Sequence, residues 1–284
     1  MNIFKPEDYL QRGISYDEKG EYEKAITEFS TILNSYPNHA ETYNNRGLSY
    51  VHLKLYDKAI SDFISAIRRR PDYHKAYNNL GLCYFHLKKY KSAVYFYNCA
   101  IKLKPDYITA YQGRGITYNE MEQHNKALDD LNMAIQFKPD DAGLYFDRGN
   151  IYMVMKRYEK AIRDYTEAIN IAPENAGAYN NRGICFRETS CYSCAIVDFI
   201  MSIFLRANYV LAYCNLGICY EEMKNYTEAE NSYLKAAYLE PQNVYIKNAL
   251  RYLRQKITNK QYINWKHVGD KGGFLLGGDI HSKS

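Results

Sequence analysis

The sequence predicts an all-α protein that repeats one helical hairpin seven times. Glycines recur every 34 residues, with a tyrosine four residues before each glycine and an alanine twelve residues after it. Prolines close six of the seven repeats. The glycines are Gly13, Gly47, Gly81, Gly115, Gly149, Gly183 and Gly217. A fixed period of this length, without insertions, indicates hairpins that stack to bury their apolar faces against one another.

Each repeat contains two stretches with helical periodicity. With the glycine numbered as position 8, small and apolar residues at positions 4, 8 and 11 form one stripe, and those at positions 20, 24 and 27 form a second. The glycine and the alanine are small enough to let the two helices approach closely. The proline follows the second helix, which it cannot continue. We therefore predict two packed helices per repeat.

These residues resemble the tetratricopeptide repeat (TPR) pattern, in which aromatic, Gly, Ala and Pro positions recur every 34 residues. The resemblance implies a right-handed α-solenoid, a superhelix of seven TPR helix–turn–helix units with a concave groove. The repeats are residues 6–39, 40–73, 74–107, 108–141, 142–175, 176–209 and 210–243.

Two further segments follow the last repeat. Residues 244–257 place Ile246, Leu250, Leu253 and Ile257 on one stripe, which predicts a helix that caps the array. Residues 258–284 show no period and are rich in glycine and basic residues, so we predict a flexible tail. Three possibilities stay open for this tail: it is disordered, it packs on the cap, or it occupies the groove.

Two positions in the repeat change together. Position 7 is arginine in five repeats, and position 23 is acidic in those same five. Where position 7 is Leu80 or Leu216, position 23 is Phe96 or Ser232. A partly buried arginine without its acid is costly, so we predict an ion pair inside each hairpin. The pairs are Arg12–Glu28, Arg46–Asp62, Arg114–Asp130, Arg148–Asp164 and Arg182–Asp198.

The resemblance assigns the concave groove mainly to positions 2, 5, 6, 9, 12 and 13. Asparagines at positions 5 and 6 resemble the peptide-holding ladder of the O-linked N-acetylglucosamine transferase TPR array, although Gln11, Gly113 and Asp147 interrupt it. They also fit ordinary solvated residues, and the apolar position 9 fits either a groove or an interface between repeats. The candidate peptide-binding residues are Asn44, Asn45, Leu48, His52, Asn78, Asn79, Leu82, Phe85, His86, Asn180, Asn181, Ile184, Asn215 and Ile218.

The charge distribution disfavours a nucleic-acid surface. The formal net charge is +5, but residues 244–284 hold eight basic and two acidic side chains. The preceding 243 residues hold 29 basic and 30 acidic side chains, so they supply no excess of cations for phosphates. We predict a protein–protein interaction scaffold that binds a peptide or protein segment in its groove and assembles a complex. An RNA-binding helical-repeat protein is the alternative.

The motifs of common enzymes are missing from the sequence, so we predict neither catalysis nor a cofactor. Cys191 and Cys194 form one CxxC, which does not complete a tetrahedral metal site without a second pair. Seven scattered cysteines favour reduced thiols and a cytoplasmic protein. We expect no signal peptide and no membrane span.

The co-chaperone branch of the TPR family offers one further test. Its carboxylate clamp requires a defined set of lysine, asparagine and arginine residues across three successive repeats. This chain has Lys75 and Asn45 at two of those places, but Leu10, Ile14 and Asn79 fill others. We therefore predict that it is not a chaperone carboxylate-clamp receptor.

Overall fold

The computed structural model describes residues 6–259, which form fifteen α-helices without any strand. They divide into two compact units, one that ends at Pro139 and one that begins at Asp140, called here the N-terminal and C-terminal units. The helices of the N-terminal unit are α1 (Pro6–Glu18), α2 (Tyr22–Ser35), α3 (Ala40–His52), α4 (Tyr56–Arg69), α5 (His74–His86), α6 (Tyr90–Leu103), α7 (Ile108–Glu120) and α8 (His124–Phe137).

The C-terminal unit continues the same alternation of helices. Its helices are α9 (Ala142–Val154), α10 (Tyr158–Ile171), α11 (Ala176–Glu188), α12 (Tyr192–Leu205), α13 (Val210–Glu222), α14 (Tyr226–Leu239) and α15 (Val244–Asn259). In both units an odd-numbered helix packs against the next helix to form a hairpin, and it also contacts the first helix of the following hairpin. Each repeat therefore buries its apolar faces against its neighbours, as a stacked array requires.

An aromatic ring explains the glycine at position 8 in six of the seven hairpins. A Cβ atom built on Gly47 would lie 2.6 Å from the ring of Phe63, and one on Gly183 would lie 2.8 Å from the ring of Phe199. The seventh hairpin shows the same contact with Tyr233. The exception is Gly115, where the partner is Leu131 and a Cβ would be 3.2 Å from the nearest atom. The close fit therefore depends mainly on the ring at position 24.

The turn inside each hairpin requires one residue in the left-handed conformation. That residue is Gly20 in the first repeat, with φ of 75°. In the other repeats the same place is taken by non-glycine residues with φ between 55° and 63°: Lys54, Lys88, Glu122, Lys156, Ser190 and Lys224. Because a Cβ atom disfavours this conformation, six of the seven turns carry local strain.

Lys88→Gly is expected to raise the free energy of unfolding by about 0.5–1 kcal/mol, because glycine adopts positive φ without the Cβ clash. The reverse change, Gly20→Lys, is expected to lower it by a similar amount. Urea unfolding followed by circular dichroism measures both. If the two substitutions changed stability in the same direction, the turn would not be the cause.

The C-terminal helix begins where the sequence predicts a cap and extends two residues further, to Asn259. Ile246, Leu250 and Leu253 are buried against α14, whereas Ile257 is exposed and does not join them. Apart from its first two residues, the predicted tail lies outside the described residues. Within residues 6–259, no helix has the length and hydrophobicity that a membrane crossing requires.

Candidate partner-binding face

Four of the five predicted ion pairs are forked, with two nitrogens of the guanidinium on two oxygens of the carboxylate. Arg46 donates from Nε and Nη2 to Asp62 at 2.8 Å each, and this hydrogen bonding raises the pKa of Arg46. Arg182 binds Asp198 with the same two distances. The fifth pair, Arg12–Glu28, is a single contact of 2.9 Å whose arginine is half exposed. The forked arginines are largely buried inside their hairpins.

The arginines have a second side-chain partner, in addition to the carboxylate, that was not predicted from the sequence. Arg46 donates from Nη1 to the hydroxyl of Ser30 at 3.0 Å, and Arg182 donates to the hydroxyl of Thr166 at 3.1 Å. Arg114 likewise donates to the amide oxygen of Asn98. Each partner lies on the second helix of the preceding repeat, at position 25. One guanidinium thus links both helices of its own hairpin to the neighbouring repeat.

The sequence contains a pattern that indicates this second partner. Position 25 is polar in each repeat that precedes a repeat with arginine at position 7. It is Ile64 in the repeat before Leu80 and Ile200 in the repeat before Leu216. Ile64 and Leu80 share one apolar cluster in the N-terminal unit. Three positions therefore change together, and either a polar set or an apolar set fills the space between two hairpins.

In the N-terminal unit the predicted asparagines hydrogen-bond to one another. Asn79 of α5 donates its amide to Asn44 of α3 at 2.9 Å, which connects two successive hairpins. Asn78 donates to Asn79 at 3.4 Å, and Asn44 donates to Asn45 at 3.5 Å. Asn44, Asn78 and Asn79 are buried, and only Asn45 remains half exposed.

The C-terminal unit contains a matching chain of amides. Asn215 donates to Asn180 at 3.0 Å, and Asn180 donates to Asn181 at 3.1 Å. Asn181 then donates to the oxygen of Asn150 at 3.0 Å, which also accepts the hydroxyl of Tyr165. Asn180, Asn181 and Asn215 are buried. These amides hold α9, α11 and α13 together, so the structure corrects the expectation that they face a ligand or water.

Each amide chain begins at a buried oxygen that has no hydrogen-bond partner among the described residues. In Asn78 this oxygen would receive the amide of position 6 in the next repeat, but that position is Gly113. In Asn215 it would receive the amide of position 5 in the same repeat, but that position is Cys214. The unpartnered oxygens therefore mark the places where the sequence interrupts the asparagine pattern.

The predicted apolar groove residues remain accessible in the N-terminal unit. Leu48, Leu82 and Phe85 are half buried on the first helices of two successive hairpins. His52 stacks on Tyr22 of the preceding hairpin, with ring centroids 4.5 Å apart. We call the surface formed by Asn45, Leu48, His52, Leu82, Phe85 and His86 the inner face of α3 and α5.

His86 follows the pattern of His52 and stacks on Tyr56 with ring centroids 5.2 Å apart. Each histidine thus packs against a tyrosine of the preceding repeat. In the C-terminal unit the predicted residues are less accessible, because Ile184 is buried and Ile218 packs half buried against an apolar cluster. Within residues 6–259, no three His, Cys, Asp or Glu side chains are arranged to hold a metal ion.

The C-terminal unit also contains a buried arginine that the sequence reasoning missed. Arg187 donates to Glu188 at 2.6 Å, and its Nε lies 4.0 Å from a carboxylate oxygen of Glu222. Its Nε and Nη1 atoms have no hydrogen-bond partner among the described residues. Nearby, Lys256 pairs with Glu221 at 3.0 Å. Charged side chains therefore occupy positions here that are apolar or histidine in α3 and α5.

The cysteines fall into two groups. Cys191 and Cys194, at the start of α12, lie close enough to form a disulfide, with Cα atoms 5.5 Å apart. Burial raises the pKa of Cys83, Cys185 and Cys214 to about 12. The buried thiols are therefore uncharged at neutral pH and poor nucleophiles.

We expect glutathione disulfide to form the Cys191–Cys194 bond and to leave Cys83, Cys185 and Cys214 unmodified, because thiolates are the species that exchange. Iodoacetamide labelling of the native chain, followed by labelling in urea and peptide mass spectrometry, measures this. In the control variant Cys191→Ser, Cys194 should become labelled in the native chain. Glutathionylation of the three buried thiols would contradict the assignment.

The stacked helical hairpins, joined by chains of asparagine amides, define an all-α helical-repeat protein of the solenoid class. Models of the tetratricopeptide repeat match residues 9–39, 40–73, 74–107, 116–179 and 210–243. The chain belongs to the tetratricopeptide repeat family. No curated protein sequence matches it.

Solved structures show the same fold. A chain of the APC/C hetero-tetramer Cut9–Hcn1 is 17% identical over 86% of this chain, with a TM-score of 0.70. This chain spans 48% of that chain's length. A TPR protein from Parabacteroides merdae is 15% identical, and the match covers 88% of this chain and 98% of that one, with a TM-score of 0.64. YrrB is 21% identical over 66% of this chain and 97% of its own, with a TM-score of 0.55.

Proposed function

We propose that the chain is an interaction scaffold that holds an extended segment of a partner protein on the inner face of α3 and α5 and thereby assembles a complex. TPR repeat proteins are generally non-catalytic scaffolds, and the TPR fold indicates a role in protein–protein interaction. The observation that carries the proposal is the row of half-buried Leu48, Leu82 and Phe85 on successive hairpins. Accessible apolar surface of this kind is typical of a partner site.

The polar residues beside this row suit an extended peptide. The half-exposed amide of Asn45 offers a donor and an acceptor that can pair with a peptide backbone of any sequence. The buried amide of Asn79 joins α5 to Asn44 of α3, which fixes the two helices relative to each other. A partner would therefore meet a pre-organised surface, which lowers the entropic cost of binding.

Two of the similar structures give this proposal context through their printed descriptions. YrrB is described as a TPR protein with an unusual peptide-binding site, and Cut9–Hcn1 is a hetero-tetramer. At 21% and 17% identity they share the fold with this chain, and their partners are their own. They support the use of this fold for holding peptides and building assemblies.

A display library of short random peptides, selected on the full chain, tests the proposal. We expect Leu82→Ser and Phe85→Ser each to weaken the selected peptides by about tenfold or more, as loss of a buried anchor does. Tyr95→Ser is the matched control, because Tyr95 is an exposed aromatic residue on the second helix of the same hairpin. Circular dichroism confirms that the variants remain folded.

Two outcomes would overturn the proposal. In the first, the selected peptides bind Leu82→Ser and Phe85→Ser as tightly as the unchanged chain. In the second, the chain binds single-stranded RNA in preference to peptides, with an affinity that falls steeply as salt rises. The paired arginines argue against this second outcome, because their guanidinium groups are already bound to carboxylates.

A further inference from the structure

The C-terminal unit exposes a second apolar surface on the second helices of its last two hairpins, α12 and α14. On α12, Val197 is 60% exposed, Ile200 48% and Phe204 79%. On α14, Leu234 is 43% exposed and Tyr238 is 83% exposed. We call these five residues the outer face of α12 and α14. Ile200 and Leu234 occupy equivalent positions in consecutive repeats, as do Phe204 and Tyr238, so the two rows lie on the same side of the unit.

The fold does not require an apolar residue at the position of Phe204 and Tyr238. At position 29, which holds Phe204 and Tyr238, the first five repeats carry Asn34, Arg68, Lys102, Gln136 and Asn170. The only charged side chain of α12 is Asp198, and it is buried in its pair with Arg182. The outer face of α12 therefore presents no charge to water. An exposed apolar surface of this kind calls for an occupant.

We propose that this occupant is the segment at residues 272–278 of the same chain, whose sequence is GGFLLGG. It sets Phe274, Leu275 and Leu276 between paired glycines, the longest apolar run among residues 260–284. Bound there, the three side chains cover the aromatic and aliphatic residues of the outer face. A partner protein that uses this face has to displace the segment first.

The length of the chain beyond α15 permits this contact. The helix ends at Asn259 and packs on α14. Fifteen residues separate Asn259 from Phe274, which corresponds to a root-mean-square span of roughly 20 Å for a glycine-rich chain and up to about 50 Å when extended. The 14-residue helix α14 is about 21 Å long, so the segment reaches either end of it.

The predicted groove residues of the C-terminal unit are less suitable for this segment. They include Ile184, Asn215 and Ile218. Ile184 and Asn215 are buried, and Ile218 packs in the cluster beneath α15. The outer face of α12 and α14 instead offers side chains that are between 43% and 83% exposed.

Photo-crosslinking of the full chain tests the proposal. A benzoylphenylalanine placed at residue 274 is expected to crosslink within one molecule to peptides that contain residues 197–204 or 234–238. The double variant Phe204→Ser, Tyr238→Ser should reduce this crosslink at least fivefold while the helical circular dichroism stays unchanged. The same probe at residue 282 is the control and should crosslink these peptides weakly.

Three outcomes would overturn the proposal. One is a crosslink from residue 274 to a second copy of the chain, which would make the outer face a dimer contact. Another is crosslinking confined to other helices. The third is an intramolecular crosslink that the double variant leaves unchanged. Peptide binding at α3 and α5 is measured separately, so its failure would not affect this result.

Discussion

Asp62→Ala is expected to lower the free energy of unfolding by about 3–5 kcal/mol, the cost of leaving a buried charge without its partner. The substitution removes both hydrogen bonds of the fork and leaves the Ser30 hydroxyl as a side-chain hydrogen-bond partner of Arg46. The Arg46 side chain is 19% exposed, so water replaces the carboxylate poorly. Urea unfolding, with hydrogen exchange of the α3 and α4 amides to locate the loss, measures the effect.

The chain itself supplies two controls for this experiment. Glu28→Ala breaks the ion pair of the exposed Arg12 and is expected to cost much less than Asp62→Ala, because solvent screens surface ion pairs. A triple variant that carries the apolar set of the next repeat should recover most of the stability, because it leaves no unpaired charge. Its substitutions are Ser30→Ile, Arg46→Leu and Asp62→Phe, after Ile64, Leu80 and Phe96.

The result would count against a structural role for the ion pairs if Asp62→Ala cost no more than Glu28→Ala. It would also do so if the triple variant were less stable than Asp62→Ala alone. The first finding would mean that the Arg46 guanidinium remains solvated in the folded chain, and the second that the apolar set does not replace the polar one in this hairpin.

The repeated contacts within a hairpin could be predicted from the sequence. The period of Gly, Tyr and Ala positions predicts the helix pairs, and comparison among the seven repeats predicts which acid faces each arginine. Both inferences succeed because the same physical contact is sampled several times in one chain. Ser30 and Thr166 show that the comparison could have gone further, since position 25 changes together with the next arginine.

Contacts that depend on how neighbouring hairpins stack were not predicted. Asn44 and Asn180 lie at positions that the TPR resemblance assigns to the groove, yet their amides bond to the next hairpin and are buried. The burial of Arg187 arises in the same way, because its partner Glu222 belongs to the following repeat. Helical periodicity gives the direction of a side chain around its own helix, but not how closely the next helix approaches.

The contact between Gly47 and the ring of Phe63 is expected to contribute strongly to stability. Phe63 is fully buried, and its ring lies over Gly47, which has no side chain to obstruct it. Phe63→Ala is expected to lower the free energy of unfolding by about 3–5 kcal/mol, because it leaves a cavity between α3 and α4. Gly47→Ala alone is expected to cost about 1–2 kcal/mol, because its methyl group meets the ring.

Combining the two changes should reverse the sign of the glycine substitution. Once Phe63 is alanine, the new methyl group of Gly47→Ala enters the vacated space, and alanine favours the helix by about 1 kcal/mol over glycine. The double variant is therefore expected to be more stable than Phe63→Ala alone, which urea unfolding of all three variants measures as a coupling energy. Gly115→Ala is the matched control, because Leu131 replaces the ring there and a Cβ has more room. If Gly47→Ala destabilised both backgrounds equally, backbone proximity rather than the aromatic ring would require the glycine.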